Sequence, residues 1–422
     1  MFNFSCPQNL PFLRNRLAAA LLFSALASHA LAQTADQPPT LRQALDAAWQ
    51  NSGQSRSLDN RRSELSAKEK AANSWMSGEP VAGIAHRTDR LSRNEGFREY
   101  EAEIELPLWN RGVRAATQAD VSAQRQSFNA QAALARLRLA GELRALAAAA
   151  ATAQVDLELN KRKLLDASTL TQDLTRRVKA GENARVDALQ AQVLTLQAQA
   201  AMAQAEGQLA RLQSHWRSLT GLAVVAPLEE KLTITAADET VAAPLAADHP
   251  ALRQSQAQLS GAQAKLALAN ADKRDPMSVG VGLSREWGNF AAAGETRLRI
   301  ALRIPLGGDN RNEPRRATAS AELDTAQAEA DAVQRQLPAE VAAATAELRA
   351  ARTSQAAATD RARLSTEVQA LITKSWRLGD SDLPARLRAD NEQFEARLAL
   401  AKANIDVQRA IANLNQAHGF LP

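Results

Sequence analysis

One segment of the chain, REYEAEIELPLW (residues 98–109), alternates strictly between apolar and acidic side chains. Its acidic positions are Glu99, Glu101, Glu103 and Glu105. Its apolar positions are Tyr100, Ala102, Ile104, Leu106 and Leu108. A period of two is typical of a β-strand, whose successive side chains point to opposite faces. The pattern therefore predicts a strand with one dry face and one wet face.

The remaining patterning predicts the same series of elements twice. The first series has a helix at about 41–75, strands at 81–88 and 98–108, a long helix at about 110–179 and a last helix at about 183–220. The second has the corresponding elements at about 248–275, 278–287, 295–306, 311–377 and 382–419. Residues 222–247 show no helical period and are interpreted as a linker or a small mixed element.

The last helix of each series has the spacing of a coiled-coil seam. These positions are Val186, Leu189, Val193 and Leu196 in the first, and Leu387, Phe394, Leu398 and Ile405 in the second. Each long helix would extend roughly 100 Å at 1.5 Å per residue, which about matches two shorter helices placed end to end. Gly141 and Pro338 lie at nearly equivalent places in the long helices and predict a shared bend or break.

Three pairs of landmarks share one offset in the numbering. Pro107 and Pro305 are 198 positions apart, as are Gly181 and Gly379, and Gly221 and Gly419. A common offset indicates a tandem duplication of one structural unit. We therefore divide the chain into a signal peptide (1–32), a first repeat (33–221), a linker (222–247) and a second repeat (248–422).

The N-terminal segment has the features of a secretory signal peptide. Arg14 and Arg16 precede an apolar run over 17–27, and Ala30 and Ala32 form an A-x-A cleavage site. The run is too short for a membrane-spanning helix. The single cysteine, Cys6, lies upstream, so the mature chain would have neither a disulfide nor a lipid-acceptor cysteine at its N-terminus.

An exported protein can place the dry faces of its strands against lipid. A membrane-spanning strand needs about nine to eleven residues, with its apolar face outward and its polar face toward a water-filled lumen. Four strands cannot close a barrel, and open edges are not tolerated in lipid, so several copies would be needed. An ordinary solvated strand face is the alternative.

The wet faces of the two equivalent strands have opposite charge. At the 198 offset, Glu99, Glu101 and Glu105 correspond to Arg297, Arg299 and Arg303. If the strands lie near one another, a row of carboxylates would face a row of guanidinium groups, and their attraction would offset the self-repulsion within each row.

Composition fits long helices better than a thick globular core. The 422 residues are 45% hydrophobic but only 4% aromatic, which favours packing through small side chains. The formal charge is +5, yet Lys and Arg are scattered among Asp and Glu with no basic block. We therefore expect no nucleic-acid partner.

The order of these features resembles the outer-membrane efflux protein (TolC-type) family over essentially the whole mature chain. The segments IELPLWNRG and RIPLGGDNRNEPR are most similar to the CzcC-type branch serving heavy-metal RND pumps. The resemblance implies a mainly α fold with a membrane β-barrel. Each chain of a homotrimer would supply four strands to a twelve-strand barrel in the outer-membrane lipid, and antiparallel coiled-coil helices to a periplasmic tunnel. It also implies a periplasmic adaptor and an inner-membrane RND pump as partners.

The resemblance places the tunnel tips at two turns. The tip residues are Gly181, Glu182 and Asn183, and Gly379, Asp380, Ser381 and Asp382. Family members often narrow the tunnel with acidic residues after the second tip, but here Ala385 and Arg388 stand near those positions. A gate built on Arg386 or Arg388, or a salt-bridged gate, is one interpretation. Solvated helix-surface charges are the other.

Catalytic and cofactor chemistry is not indicated. The histidines of the mature chain, His86, His215, His249 and His418, are far apart, as are Met76, Met202 and Met277. No phosphate-binding loop, nucleophile elbow or dinucleotide fingerprint is present. The prediction is a passive duct without catalytic residues, cofactor or resident metal, which conducts heavy-metal cations. Drug efflux and type I secretion are alternative functions, and a soluble periplasmic coiled-coil scaffold is an alternative of another class.

Overall fold

The computed structural model describes residues 38–233, 248–307 and 309–422. The predicted signal peptide and the second part of the linker lie outside these ranges. The helices are α1 (Leu41–Asn51), α2 (Gly53–Asn73), α3 (Val113–Lys179), α4 (Arg185–Thr220), α5 (Pro250–Ala271), α6 (Asp309–Leu378) and α7 (Leu383–Ala417). The strands are β1 (Val81–Thr88), β2 (Arg98–Leu108), β3 (Met277–Trp287) and β4 (Glu295–Arg303).

The four strands form one antiparallel sheet in the order β1-β2-β3-β4. The two hairpins are thus joined edge to edge, although about 170 residues separate β2 from β3 in the sequence. The bounds of the first three strands agree with prediction to within one residue. The fourth was predicted to extend to residue 306 but ends at Arg303, and Pro305, which has no N–H to donate to a ladder, follows shortly.

The helix predicted over 41–75 is two helices, so that part of the prediction was wrong. Ser52 has extended backbone angles (φ −67°, ψ 135°), and its hydroxyl accepts a hydrogen bond from the N–H of Ser55 at 3.3 Å. The polar sequence Asn51-Ser52-Gly53 thus ends α1 and caps α2. Short polar side chains and glycine favour such a junction because they compete with helix hydrogen bonding.

The long helices α3 and α6 continue through the two positions where a bend or break was predicted. α3 has 67 residues and includes Gly141, while α6 has 70 residues and includes Pro338. Neither residue breaks its helix. Gly141 instead allows close packing, since a Cβ there would lie 3.1 Å from Nε2 of Gln416 on α7.

The shorter helices meet end to end within each half. α4 is followed by Gly221 (φ +76°), where a Cβ would lie 2.8 Å from the amide nitrogen of Asn51 at the end of α1. α7 is followed by Gly419 (φ +82°), where a Cβ would lie 2.7 Å from Pro250 at the start of α5. The predicted end-to-end arrangement is therefore present at both junctions, and it needs glycine for its backbone angle and for space.

Alanines supply much of the helix packing. Ala188, Ala191 and Ala198 of α4 are buried, whereas the predicted seam, Val186, Leu189, Val193 and Leu196, is about half exposed or more. These four residues therefore do not form a buried seam with helices of the same chain. Small side chains let neighbouring helices approach closely, and this turns the larger apolar residues outward. In α7, the corresponding residues Leu387, Phe394, Leu398 and Ile405 are half-buried.

A buried ion pair attaches the linker to the helices. The guanidinium of Arg144 on α3 donates to both carboxylate oxygens of Glu230, at 2.7 and 2.9 Å. Their side chains are 3% and 8% exposed. The amide of Asn415 on α7 also donates to Glu230, at 3.0 Å. The linker residue thus connects one helix from each half, a role the sequence analysis did not predict.

Candidate functional site: the charged sheet face and the helical tips

The carboxylates of β2 are more buried than the apolar side chains on the opposite face of the sheet. Side chains of Glu99 and Glu101 on β2 are each 17% exposed. On the opposite face, Ile84 is 90% exposed and Ile300 is 73% exposed. The other strongly exposed apolar residues of this face are Tyr100, Ile104, Val281, Leu283, Leu298 and Leu302. In a water-soluble sheet the reverse distribution is expected, because apolar surface is removed from water.

Ion pairs cross the charged face between strands that are not neighbours. Arg303 on β4 donates to Glu105 on β2, and Arg299 on β4 contacts Glu101 on β2. The remaining predicted pair does not form, because Arg297 bonds Glu286 and Glu295 at 2.8 Å each and Glu99 bonds Arg87 at 3.1 Å. Two of the three repeat-related pairs are therefore in direct contact.

Small residues on β3 make these contacts possible. The side chains of β3 that lie on the charged face between the two rows are, in order, Ser278, Gly280, Gly282 and Ser284. We call this row the β3 corridor. A Cβ at Gly280 would lie 2.5 Å from Oε1 of Glu103. Larger side chains here would occupy the space through which the arginines reach β2. Sequence inspection could have found this row, since small residues alternate with larger ones along residues 278–284.

Aromatic side chains cluster at the loop end of the apolar face. The ring of Trp287 is contacted by the guanidinium carbons of Arg98 at 4.8 Å and Arg285 at 4.9 Å. Tyr100 packs edge-on against Trp287 with ring centroids 6.2 Å apart, and His86 stacks on Tyr100 at 4.4 Å. Rings with polar partners at the end of an apolar band are typical of side chains at a membrane–water interface. Only the tertiary structure brings these side chains from three strands together.

The described ranges contain neither a membrane-spanning helix nor a cluster of metal-ligating side chains. Within 38–233, 248–307 and 309–422, no helix has both the length and the hydropathy of a membrane span. The described part of the chain also contains no group of three or more His, Cys, Asp or Glu side chains placed to hold a metal ion.

Both predicted tips are glycine turns with the same hydrogen bonding. Gly181 and Gly379 have φ of +81° and +87°, respectively. After α3, the N–H of Glu182 donates to Arg177 and that of Gly181 to Val178, at 2.9 and 3.1 Å. The equivalent bonds after α6 link Asp380 to Ser375 and Gly379 to Trp376, at 3.0 and 3.2 Å. This is the Schellman pattern, which requires a left-handed residue and so favours glycine.

The polar tip residues hold the turns in shape. Asp382 caps α7, since its carboxylate accepts a bond from the N–H of Ala385 at 2.9 Å. The amide of Asn183 donates to Asp187 at 3.2 Å, and the hydroxyl of Ser381 donates to the carbonyl of Ile372 at 3.4 Å. Glu182 and Asp380 are exposed.

One of the two gate candidates is packed inside the chain. The guanidinium of Arg386 lies 4.1 Å from the ring centroid of Trp376, and Arg177 lies 4.7 Å from the same centroid. Arg386 also lies 3.5 Å from the carboxylate of Asp390. Trp376 therefore joins α3 to α6 and α7 near the tips. Arg388 is exposed, and its Nε donates to the carbonyl of Pro384 at 3.3 Å.

Known proteins match both the sequence of the second half and the fold of the whole chain. A family model described as "Outer membrane efflux protein" matches residues 243–419. This part of the chain is therefore similar in sequence to the outer membrane efflux protein family. No curated protein matches the chain.

Solved structures with this fold match nearly the whole chain. A membrane protein from Pseudomonas aeruginosa has a TM-score of 0.73 at 19% identity, over 90% of each chain. The outer membrane protein VceC from Vibrio cholerae has a TM-score of 0.73 at 14% identity. The match covers 90% of this chain and 96% of the VceC chain. CusC, for which transmembrane channel formation is described, has a TM-score of 0.68 at 15% identity. The match covers 92% of this chain and 96% of the CusC chain. The mainly helical fold with four antiparallel strands is thus confirmed for both halves.

Proposed function

We propose that this protein is the outer-membrane exit duct of a tripartite efflux system. The observation that carries the proposal is the sheet, in which one face exposes a row of large apolar side chains while the β2 carboxylates of the other face are mostly covered. A lipid environment would make this arrangement of side chains favourable, because it removes Ile84, Ile300 and their neighbours from water. The solved outer-membrane proteins with this fold support the same assignment.

The proposal includes a homotrimer. A sheet of four strands has two free edges, at β1 and β4, whose backbone groups would lack partners in lipid. Three copies joined edge to edge would satisfy these groups in a closed barrel of twelve strands. The exposed apolar row on α4, which includes Val186 and Leu196, would likewise be covered by helices of another copy in the periplasmic tunnel.

The partners are a periplasmic adaptor and an inner-membrane RND pump. The two glycine tips, at Gly181 and Gly379, are exposed at the end of the helical part and form the surface offered to the adaptor. Cargo would pass through passively, since the sequence has no phosphate-binding loop, nucleophile elbow or dinucleotide fingerprint.

Heavy-metal cations are the proposed cargo. The support is the similarity of IELPLWNRG and RIPLGGDNRNEPR to the CzcC-type branch, together with an excess of carboxylates on the charged face of the sheet. Drugs or a secreted polypeptide are the competing cargoes. Metal and drug tolerance of cells that lack the gene, with and without the gene restored, would distinguish them.

Fractionation tests the duct itself. Expressed with its own N-terminal segment in a Gram-negative host, the protein should enter the outer membrane and migrate on gels as a trimer that heat dissociates. Purified protein should also conduct ions in a planar bilayer. A soluble periplasmic monomer would refute the duct and favour the coiled-coil scaffold.

A further inference from the structure

Glu103 is the one acidic residue of β2 whose repeat equivalent is not basic. At the 198 offset, Glu99, Glu101 and Glu105 correspond to arginines, but Glu103 corresponds to Ala301. The internal duplication therefore supplies a guanidinium for three of the four carboxylates and omits it for the fourth.

The geometry shows the consequence. Oε2 of Glu103 lies 3.9 Å from the guanidinium of Arg299, which is already engaged by Glu101. Ala301 pairs with Gly280 in the sheet, so no long side chain reaches Glu103 from that position. The Glu103 carboxylate lies over Gly280, where a Cβ would be only 2.5 Å from its Oε1, so β3 supplies no side chain to pair with it there.

The rest of the charged face is closely paired. The six carboxylates on this face of the described strands are those of Glu99, Glu101, Glu103, Glu105, Glu286 and Glu295. The four guanidinium groups are those of Arg87, Arg297, Arg299 and Arg303. Every carboxylate except that of Glu103 has a guanidinium nitrogen within about 3.1 Å. One of the two excess negative charges therefore lies at Glu103, and the other is shared by Glu286 and Glu295, which divide the single guanidinium of Arg297.

We propose that Glu103 is the residue by which the channel selects cations over anions. This inference rests on the proposed function, since the trimer would place three Glu103 carboxylates at one height around the lumen. A ring of carboxylates attracts hydrated cations and repels anions, and the one-to-one pairs of Glu99, Glu101 and Glu105 with arginines contribute little to this field. The ligand class is a small hydrated cation, held loosely enough to pass.

Reversal potentials in a KCl gradient across a planar bilayer test the proposal. At about 0.01 M salt the Debye length is roughly 30 Å, so wall charges remain effective across a wide lumen. The unmodified channel should prefer K⁺ over Cl⁻. Glu103→Gln should lower the K⁺/Cl⁻ permeability ratio by a factor of about two or more. Ala301→Arg should lower it similarly by supplying the missing partner, without any change at Glu103.

Glu229→Gln is the matched control, because it removes the same charge at an exposed linker position outside the sheet. It should leave the ratio unchanged. A heat-labile trimer on gels would show that each variant assembles. An unmodified channel without cation preference, or an assembled Glu103→Gln channel with an unchanged ratio, would overturn the inference while the proposed duct stands. Absence of any conductance in the unmodified protein would instead count against the proposed function.

Discussion

The carboxylate of Glu105 accepts a hydrogen bond from the guanidinium of Arg303, and the two residues are 198 positions apart. That separation equals the offset of the internal repeat. Residues at equivalent places in the two predicted repeats thus have opposite charges and are in contact. The contact crosses the intervening strand β3 above the hydroxyl of Ser278, which also donates to Glu105.

We expect this pair to help align the two hairpins. Glu105→Arg should lower the amount of assembled trimer, because it places two guanidinium groups together on the charged face. The swap Glu105→Arg with Arg303→Glu should restore most of it. Assembly is measured as heat-labile trimer in outer-membrane fractions. A swap no better than the single change would show that the pair has no such role.

The apolar face should not tolerate charge. Ile104→Arg should destabilise the assembled protein by about 2–4 kcal/mol if the residue lies near the bilayer midplane. The neighbouring change Glu103→Gln lies on the other face and should leave assembly intact. Urea titration of each variant in lipid vesicles measures the free energy of unfolding and so compares the two changes. Equal tolerance of both changes would contradict the assignment of this face to lipid.

The buried ion pair between α3 and the linker should be costly to break. Arg144→Met leaves the Glu230 carboxylate buried with the amide of Asn415 as a remaining donor, and we expect a loss of about 3–5 kcal/mol. The double change Arg144→Met with Glu230→Leu should recover part of this, because no unpaired charge remains. Thermal unfolding followed by circular dichroism measures both variants. A single variant as stable as the parent would show that the pair contributes little.

Because His249 is buried, we expect the protein to lose stability at acidic pH. It is 4% exposed at the start of α5, and burial lowers its pKa from the ordinary 6.5, with nearby His418 acting in the same direction and Glu340 opposing it. Because the folded state disfavours the protonated ring, stability is fully present above about pH 6.5 and decreases as pH falls toward the lowered folded-state pKa.

His249→Asn is the variant that checks this effect. Asparagine can still accept the capping bond from Ala251 that His249 makes at 3.1 Å, but it does not titrate. The melting temperature of this variant should fall less between pH 7.5 and about pH 5.5 than that of the parent. Equal decreases in both proteins would assign the pH dependence to other groups.

Sequence periodicity predicted the elements well because their signals are local. The alternation in residues 98–108 and the glycines at 181 and 379 gave a strand and two turns that the structure contains. Junctions were less predictable. The break at Ser52 depends on one capping hydroxyl, and Pro338 stays within α6 because surrounding helices can hold a helix that lacks one hydrogen bond.

In the candidate site, too, the local features could be predicted from the sequence and the contacts between distant strands could not. The sequence by itself determined that four carboxylates share one strand face and that arginines occupy three equivalent positions, because strand geometry fixes which side chains share a face. Only the tertiary structure decided that β2 and β4 lie on either side of the β3 corridor, that Arg297 turns to Glu286, and that Glu103 is left over. Contacts between strands far apart in sequence depend on which edges join and on what size of side chain lies between them, and neither is encoded in the period of a single segment.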